Sequence, residues 1–326
     1  VKQSLFENRH QADWDAFHNQ LEALERGKAD AQVSQGFAAR YRQLCQHLAL
    51  AQARGYSSHL IDQLQQLAMR GHQQFYRHRS HLVAQLVRFL FGGFPRLVRS
   101  EWRSVCAASL LFFGSLAVMG LLTYLYPELI FSLVSPDQVS EMESMYDPDA
   151  RRLGRFSERG SGDDWVMFGF YIMNNIGIAF QTFASGLLLG LGSLFFLLFN
   201  GLMIGAVAGH LTRIGYGEPF WSFVIGHGAF ELTAIALAGA AGLKLGWALL
   251  APGRLPRGEA LRLAASKAIQ LVCGVILFLL LAAFIEAFWS STTFASPNIK
   301  YIVGAGLWAL VLGYLLLAGR RQHAPD

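Results

Sequence analysis

The chain has 326 residues, of which 53% are hydrophobic, 13% aromatic and 15% charged, with a net charge of +5. A soluble domain of this length is usually about a quarter charged, so an ordinary globular protein is excluded. The excess of basic residues sits beside apolar runs, which points to membrane orientation and sets nucleic-acid binding aside.

Residues 1–78 read as a charge-rich helical domain. Trp14, Phe17, Leu21 and Leu24 recur at helical spacing, as do Phe37, Tyr41, Leu44, Leu48 and Ala51, and then Leu60, Leu64, Leu67 and Phe75. Gly55 separates the second stripe from the third. Three such faces can bury one small core. The next stretch, 79–103, mixes Leu, Phe and Trp with Arg79, Arg88, Arg96, Arg99 and Arg103, and suits an amphipathic segment at the membrane surface. The first apolar run of spanning length begins only after it, so no secretory signal is expected at the start.

Six spans are expected: 104–126, two within 166–211 divided near Gly190 and Gly192, 222–243, 268–289 and 301–318. The fold expected is therefore an all-α polytopic membrane bundle with a cytoplasmic N-terminal helical domain. The basic segment 79–103, the linker 251–267 with Arg254, Arg257, Arg262 and Lys267, and the tail 319–326 with Arg320 and Arg321 all belong inside. Six spans place both termini there. The loop 127–165 then lies outside, with an acidic first half; its stretch "SMYDPDARRLGRFSERGSGDD", which carries Arg151, Arg152, Arg155 and Arg159, reads as solvated and suited to a partner. Cys45, Cys106 and Cys273 lack metal-type spacing and read as packing thiols.

Polar residues interrupt the apolar core, 166–250. Counting about 1.5 Å per residue, Asn174 and Asn175 lie roughly 10–12 Å down the second span and Asn200 roughly 16 Å down the third. His227 and Glu231 in "GHGAFELTA" are then roughly 7 and 13 Å down the fourth. One polar layer in the outer half of the bilayer is expected, with Gln181 and Thr182 extending it inward. His227 and Glu231, at i and i+4, share a helix face and can pair. Glu286, near the outer end of the fifth span, is expected to reach the interface. His72, His78 and His81 are expected to be solvated.

Glycines recur every fourth residue at Gly201, Gly205 and Gly209, at Gly186 and Gly190, and at Gly242 and Gly246. Such stripes let helix backbones approach closely, within a chain or between copies.

With "NNIGIAFQTFASGLLLG", "FNGLMIGAVAG" and "HGAFELTA" in this order, the core resembles the stage II sporulation protein M family. "YRQLCQHLALAQA", "LQQLAMRGHQQFYR" and "FPRLVRSEW" match the layout of that family's N-terminal part. The resemblance implies a multi-pass protein of the bacterial inner membrane. In spore formers the family member works with peptidoglycan-cleaving partners during engulfment and is viewed as a membrane organiser.

Three functional readings follow. The first is a non-enzymatic scaffold that binds the lipid bilayer and recruits protein partners through the outer loop and the N-terminal domain, with a homo-oligomer formed through the glycine faces and no cofactor. A second is an oligomeric transporter or channel using His227 and Glu231 as a proton or cation relay. The third is an intramembrane hydrolase with His210, His227 and Glu231 on a metal.

Overall fold

The computed structural model describes residues 2–26, 36–75, 82–149, 161–292 and 294–320, and the described elements are all helical. They fall into two compact units, divided at residues 83 and 84.

The N-terminal unit contains α1 (Gln3–Glu25), α2 (Phe37–Ala53) and α3 (Ser58–Phe75). The three stripes expected from the sequence meet in one core of Phe6, Trp14, Phe17, Leu44, Leu64 and neighbours. Burial of each such side chain stabilises the unit by about 1.5–3 kcal/mol. Trp14 Nε1 donates to His47 Nδ1 at 3.0 Å inside it. Indole can only donate, so His47 is held neutral with its proton on Nε2. The α2–α3 turn passes through Gly55 at φ 61°, in the left-handed region that glycine enters freely.

The division falls within α4 (Leu82–Arg88), and the second unit continues with a π-helical turn (Phe89–Gly93) and α5 (Phe94–Ser100). Long helices follow: α6 (Trp102–Leu125), α8 (Ser161–Ala184), α9 (Leu191–Arg213), α10 (Gly217–Leu250), α11 (Arg257–Ile285, extended by a π-helical turn to Ser290) and α12 (Pro297–Leu317). Between α6 and α8 lie a 3-10 turn (Pro127–Ser132) and the short helix α7 (Pro136–Met145). Among the described residues five helices, α6, α9, α10, α11 and α12, are long and apolar enough to cross a membrane. The sixth expected span, α8, is 24 residues long but lies outside that set. Asn174, Asn175 and Gln181 dilute its apolar character.

Helix α10 is the centre of the bundle and touches every other long helix. Its segment Ala234–Gly242, "AIALAGAAG", is buried throughout. Small side chains let the neighbouring helices close over it with little cavity. On α9, Gly201, Gly205 and Gly209 face α6 so closely that a Cβ would overlap the carbonyls of Phe112, Leu116 and Gly120 respectively. Gly186 and Gly190 lie in the turn between α8 and α9, beyond the end of the second helix. There they pack against Gly242 and Gly246 of α10. Gly190 has φ 85°, a conformation the tight reversal requires and a Cβ would strain.

The segment expected at the membrane surface differs over its second half. Phe94, Pro95 and Val98 are buried, and Phe94 packs on Gly274 and Phe278 of α11. Of its arginines, Arg88 and Arg96 are exposed, and Arg96 bonds back to Gly92 O at 2.9 Å. Arg99 donates to Leu315 O and Ala318 O, both at 2.7 Å, and so caps the C-terminal end of α12. Arg103 lies over the Trp102 ring at 5.6 Å. A periodic mixture of apolar and basic residues fits an interface or a helix wedged under a bundle equally well, and here the wedge wins for α5.

The loop after α6 is ordered over its first half. Ser135 and Gln138 form a capping box at the start of α7. Ile130, Val134 and Val139 bury a small core against Met203 of α9. Cys106 and Cys273 are exposed on helix surfaces and do not pack, while Cys45 is half-buried. The expectations for His78, His81, Arg79, Arg151, Arg152, Arg155, Arg159 and Arg321 lie outside the described residues.

A candidate polar site inside the bundle

Helical spacing puts His227 and Glu231 of α10 on one face, with His227 Nε2 3.8 Å from Glu231 Oε2. The imidazole is deeply buried, its side chain 6% exposed, and stands edge-on to the Phe223 ring. Gly226, one residue earlier, gives Ile285 and Trp289 of the facing segment room to approach.

That facing segment is the π-helical turn Glu286–Ser290 at the end of α11. A π turn adds a residue to the helical circuit and re-aims the side chains around it, a deviation frequent at functional sites. Ser290 Oγ lies 3.0 Å from His227 Nδ1. Glu286 is 9% exposed, and one ligand atom from each of His227, Glu231 and Glu286 falls within 4.8 Å of the others. Lys300, in the first turn of α12, donates to Ser290 O at 2.8 Å and Thr292 O at 2.6 Å, tying the third helix to the same turn. His227 and Glu231 open onto a cavity of ≈240 Å³ lined also by Met142, Met203, Val207 and Val224.

Four of the residues expected in this layer lie apart from His227 and Glu231. Asn174 is exposed and donates to Asn175 Oδ1 at 2.9 Å. Asn175 is buried, yet its Nδ2 has no hydrogen-bond partner. Asn200 donates to Phe196 O of its own helix at 2.7 Å, and Gln181 is exposed. Among the described residues, no hydrogen bond joins these amides to His227 or Glu231. Depth along a helix can be counted from sequence, whereas rotation about its axis is set by packing.

The expected metal trio also changes. His210 Nε2 pairs with Glu143 Oε1 of α7 at 2.7 Å, away from His227. Glu286, expected at the interface, takes its place. The signal for Glu286 was present as an acid inside an apolar span. Counting along a straight helix missed the π turn that aims it inward.

A second polar group lies at the opposite end of α10, about 20 Å from Glu231 by helical rise. Glu101 accepts from Lys244 at 2.7 Å and pairs with Lys267 at 3.2 Å. Burial raises the Glu101 pKa, but the hydrogen bonds and charges of Lys244 and Lys267 outweigh this and hold it below the usual carboxylate range. This ion group borders an open groove of ≈840 Å³ that also takes in Trp102, Arg103, Leu194 and Trp247.

Compared with known families, residues 109–291 match the model described as stage II sporulation protein M, and residues 4–77 match a domain of unknown function, DUF8413. No curated protein and no solved structure matches the chain. The first match contains His227, Glu231 and Glu286; the second coincides with the N-terminal helical unit.

Proposed function

Because the chain belongs to the stage II sporulation protein M family, whose model covers more than half of it, we propose that this multi-pass membrane protein is a non-enzymatic organiser. In this reading it holds partners through its outer helix α7 and its N-terminal unit. One observation carries the proposal: between the two polar ends of α10 the buried segment Ala234–Gly242 has no polar side chain. On α10 itself nothing polar lines a route from one end of the bundle to the other, and Ser193, which packs there, is bonded to Thr182 O, whereas a rigid, closed frame is what a docking platform needs.

Charge distribution supports an orientation in the bacterial inner membrane with both termini on the cytoplasmic side. Contacts of Arg99 with the end of α12, and of Glu101 with Lys244 and Lys267, gather the segments bearing Arg103, Arg254, Arg257 and Arg262 at one end. The α7 end is acidic, with Glu128, Asp137, Glu141 and Glu143. An excess of arginine and lysine marks the cytoplasmic side. With α8 counted as a sixth span, the arrangement closes.

Photo-crosslinkers at Glu141 in α7 and at Asp62 in α3, activated in living cells, test the organiser reading. Discrete protein adducts are expected at both positions. Adducts only with lipid or with the chain itself would overturn it. The cavity beside His227 and Glu231 favours one second reading, an oligomeric relay for protons or cations. Proteoliposome flux that is abolished by Glu231→Gln would establish it, and flux unaltered by that change would remove it.

A further inference from the structure

We propose that His227, Glu231 and Glu286 form a binding site for a divalent first-row transition-metal ion, with Nε2 of the imidazole and one oxygen of each carboxylate as protein ligands.

Geometry is the first argument. The three ligand atoms already lie within 4.8 Å of one another, and His227 Nε2 is 3.8 Å from Glu231 Oε2. Bonds of about 2.0–2.2 Å place tetrahedral ligand atoms roughly 3.4 Å apart. The contraction this asks for, at most about 1.4 Å between any two ligand atoms, is within the reach of glutamate side-chain torsions.

The imidazole is the independent observation. Its side chain is more than nine-tenths buried, and Nε2 faces Glu231 Oε2 at 3.8 Å, too long for a hydrogen bond. The other nitrogen, Nδ1, is engaged by Ser290 Oγ at 3.0 Å. A metal-binding histidine is commonly held in this way, one nitrogen fixed by an oxygen while the other keeps its lone pair for the ion. Serine and ligands arise from the same pair of elements, since Ser290 and Glu286 are the two ends of the π turn.

Charge supplies the third argument. Two carboxylates this close, inside a bundle of membrane-crossing length, are ionised together only beside a compensating cation. The nearby ammonium of Lys300 is directed to the carbonyls of Ser290 and Thr292. A dication neutralises both glutamates at once. Ligand type narrows its identity: calcium and magnesium take oxygen ligands, whereas an imidazole with carboxylates suits zinc, manganese or iron. The ≈240 Å³ cavity leaves space for water or a partner's side chain to fill an open coordination position.

The test uses the full chain in lipid nanodiscs, stripped with chelator and titrated with Co²⁺ as a spectroscopic probe and with Zn²⁺ as competitor. Stoichiometric, saturable binding with visible ligand-field bands is expected, displaced by Zn²⁺. Glu231→Gln and Glu286→Gln should each weaken binding more than tenfold. Ser290→Ala, which removes no ligand and little volume, should weaken it about 10–100-fold. His210→Gln, at the separate Glu143 pair, should leave it unchanged. No saturable binding by the folded wild-type chain would overturn the proposal, as would binding that survives both glutamate changes. The crosslinking result is independent, so either idea can fail alone.

Discussion

Gly209 of α9 lies directly on the carbonyl of Gly120 in α6, where a methyl group would overlap the opposing backbone. The same ridge continues through Gly205 against Leu116 O and Gly201 against Phe112 O. Gly205→Ala or Gly209→Ala should therefore lower stability by about 1–3 kcal/mol, the usual cost of overpacking. Gly114→Ala and Gly177→Ala are the controls, because nothing lies within 4 Å of a Cβ at either position. Reversible unfolding in mixed micelles should separate the two pairs of variants.

The Glu101 group should make the second unit sensitive to acid. Its folded pKa is depressed below the reference value of 4.5, so its stabilisation is present above that value and is lost as pH falls through the folded one. Glu101→Gln should flatten this acid limb and cost about 1–3 kcal/mol at neutral pH, because Lys244 and Lys267 lose their shared acceptor. Denaturation followed at a series of pH values would check both. An unchanged acid limb in the variant would show that another group controls it.

In the N-terminal unit the titration runs through His47. Burial lowers its pKa from 6.5, with nearby His10 adding to the effect and Asp13 opposing it. A depressed histidine favours the neutral form in the fold, so the unfolded state binds more protons as pH drops below about 6.5. Stability of this unit should fall over that window, with loss of the bond from Trp14. Fluorine NMR of the chain carrying fluorotryptophan should report this at Trp14. His47→Gln, which keeps an acceptor but does not titrate, should remove the dependence.

Helix α7 should be held to α9 chiefly by the Glu143–His210 pair and the small core around Val139. Glu143→Gln should raise the labelling rate of a Val139→Cys probe by an impermeant maleimide several-fold. Labelling from outside intact cells would also fix the orientation. If the rate is the same with and without Glu143, the apolar contact alone holds the helix.

Much of this architecture could be read from periodicity. The stripes through Trp14, Phe37 and Leu60 meet in one core, and the turn at Gly190 divides the long apolar run where the glycines suggested. Two kinds of information were invisible. Rotation about the axes of α8 and α9 sends Asn174 outward and returns the Asn200 amide to its own helix. A change of helix type after Ile285 brings Glu286 and Ser290 to His227, although about sixty residues separate them in sequence. Repeats of 3.6 residues locate a face only while the helix keeps that pitch. For Arg99 the pattern gave charge and location but not its acceptors, which lie 216 and 219 residues away.

That last bond sets an order for biogenesis. Arg99 leaves the ribosome long before Leu315 and Ala318, and at roughly 5–20 residues per second the wait is on the order of 10–40 s. Tyr314, which donates to Leu90 O, arrives equally late. Until then the guanidinium rests on water, headgroups or an insertase, so α12 acts as a clasp on the helices synthesised before it.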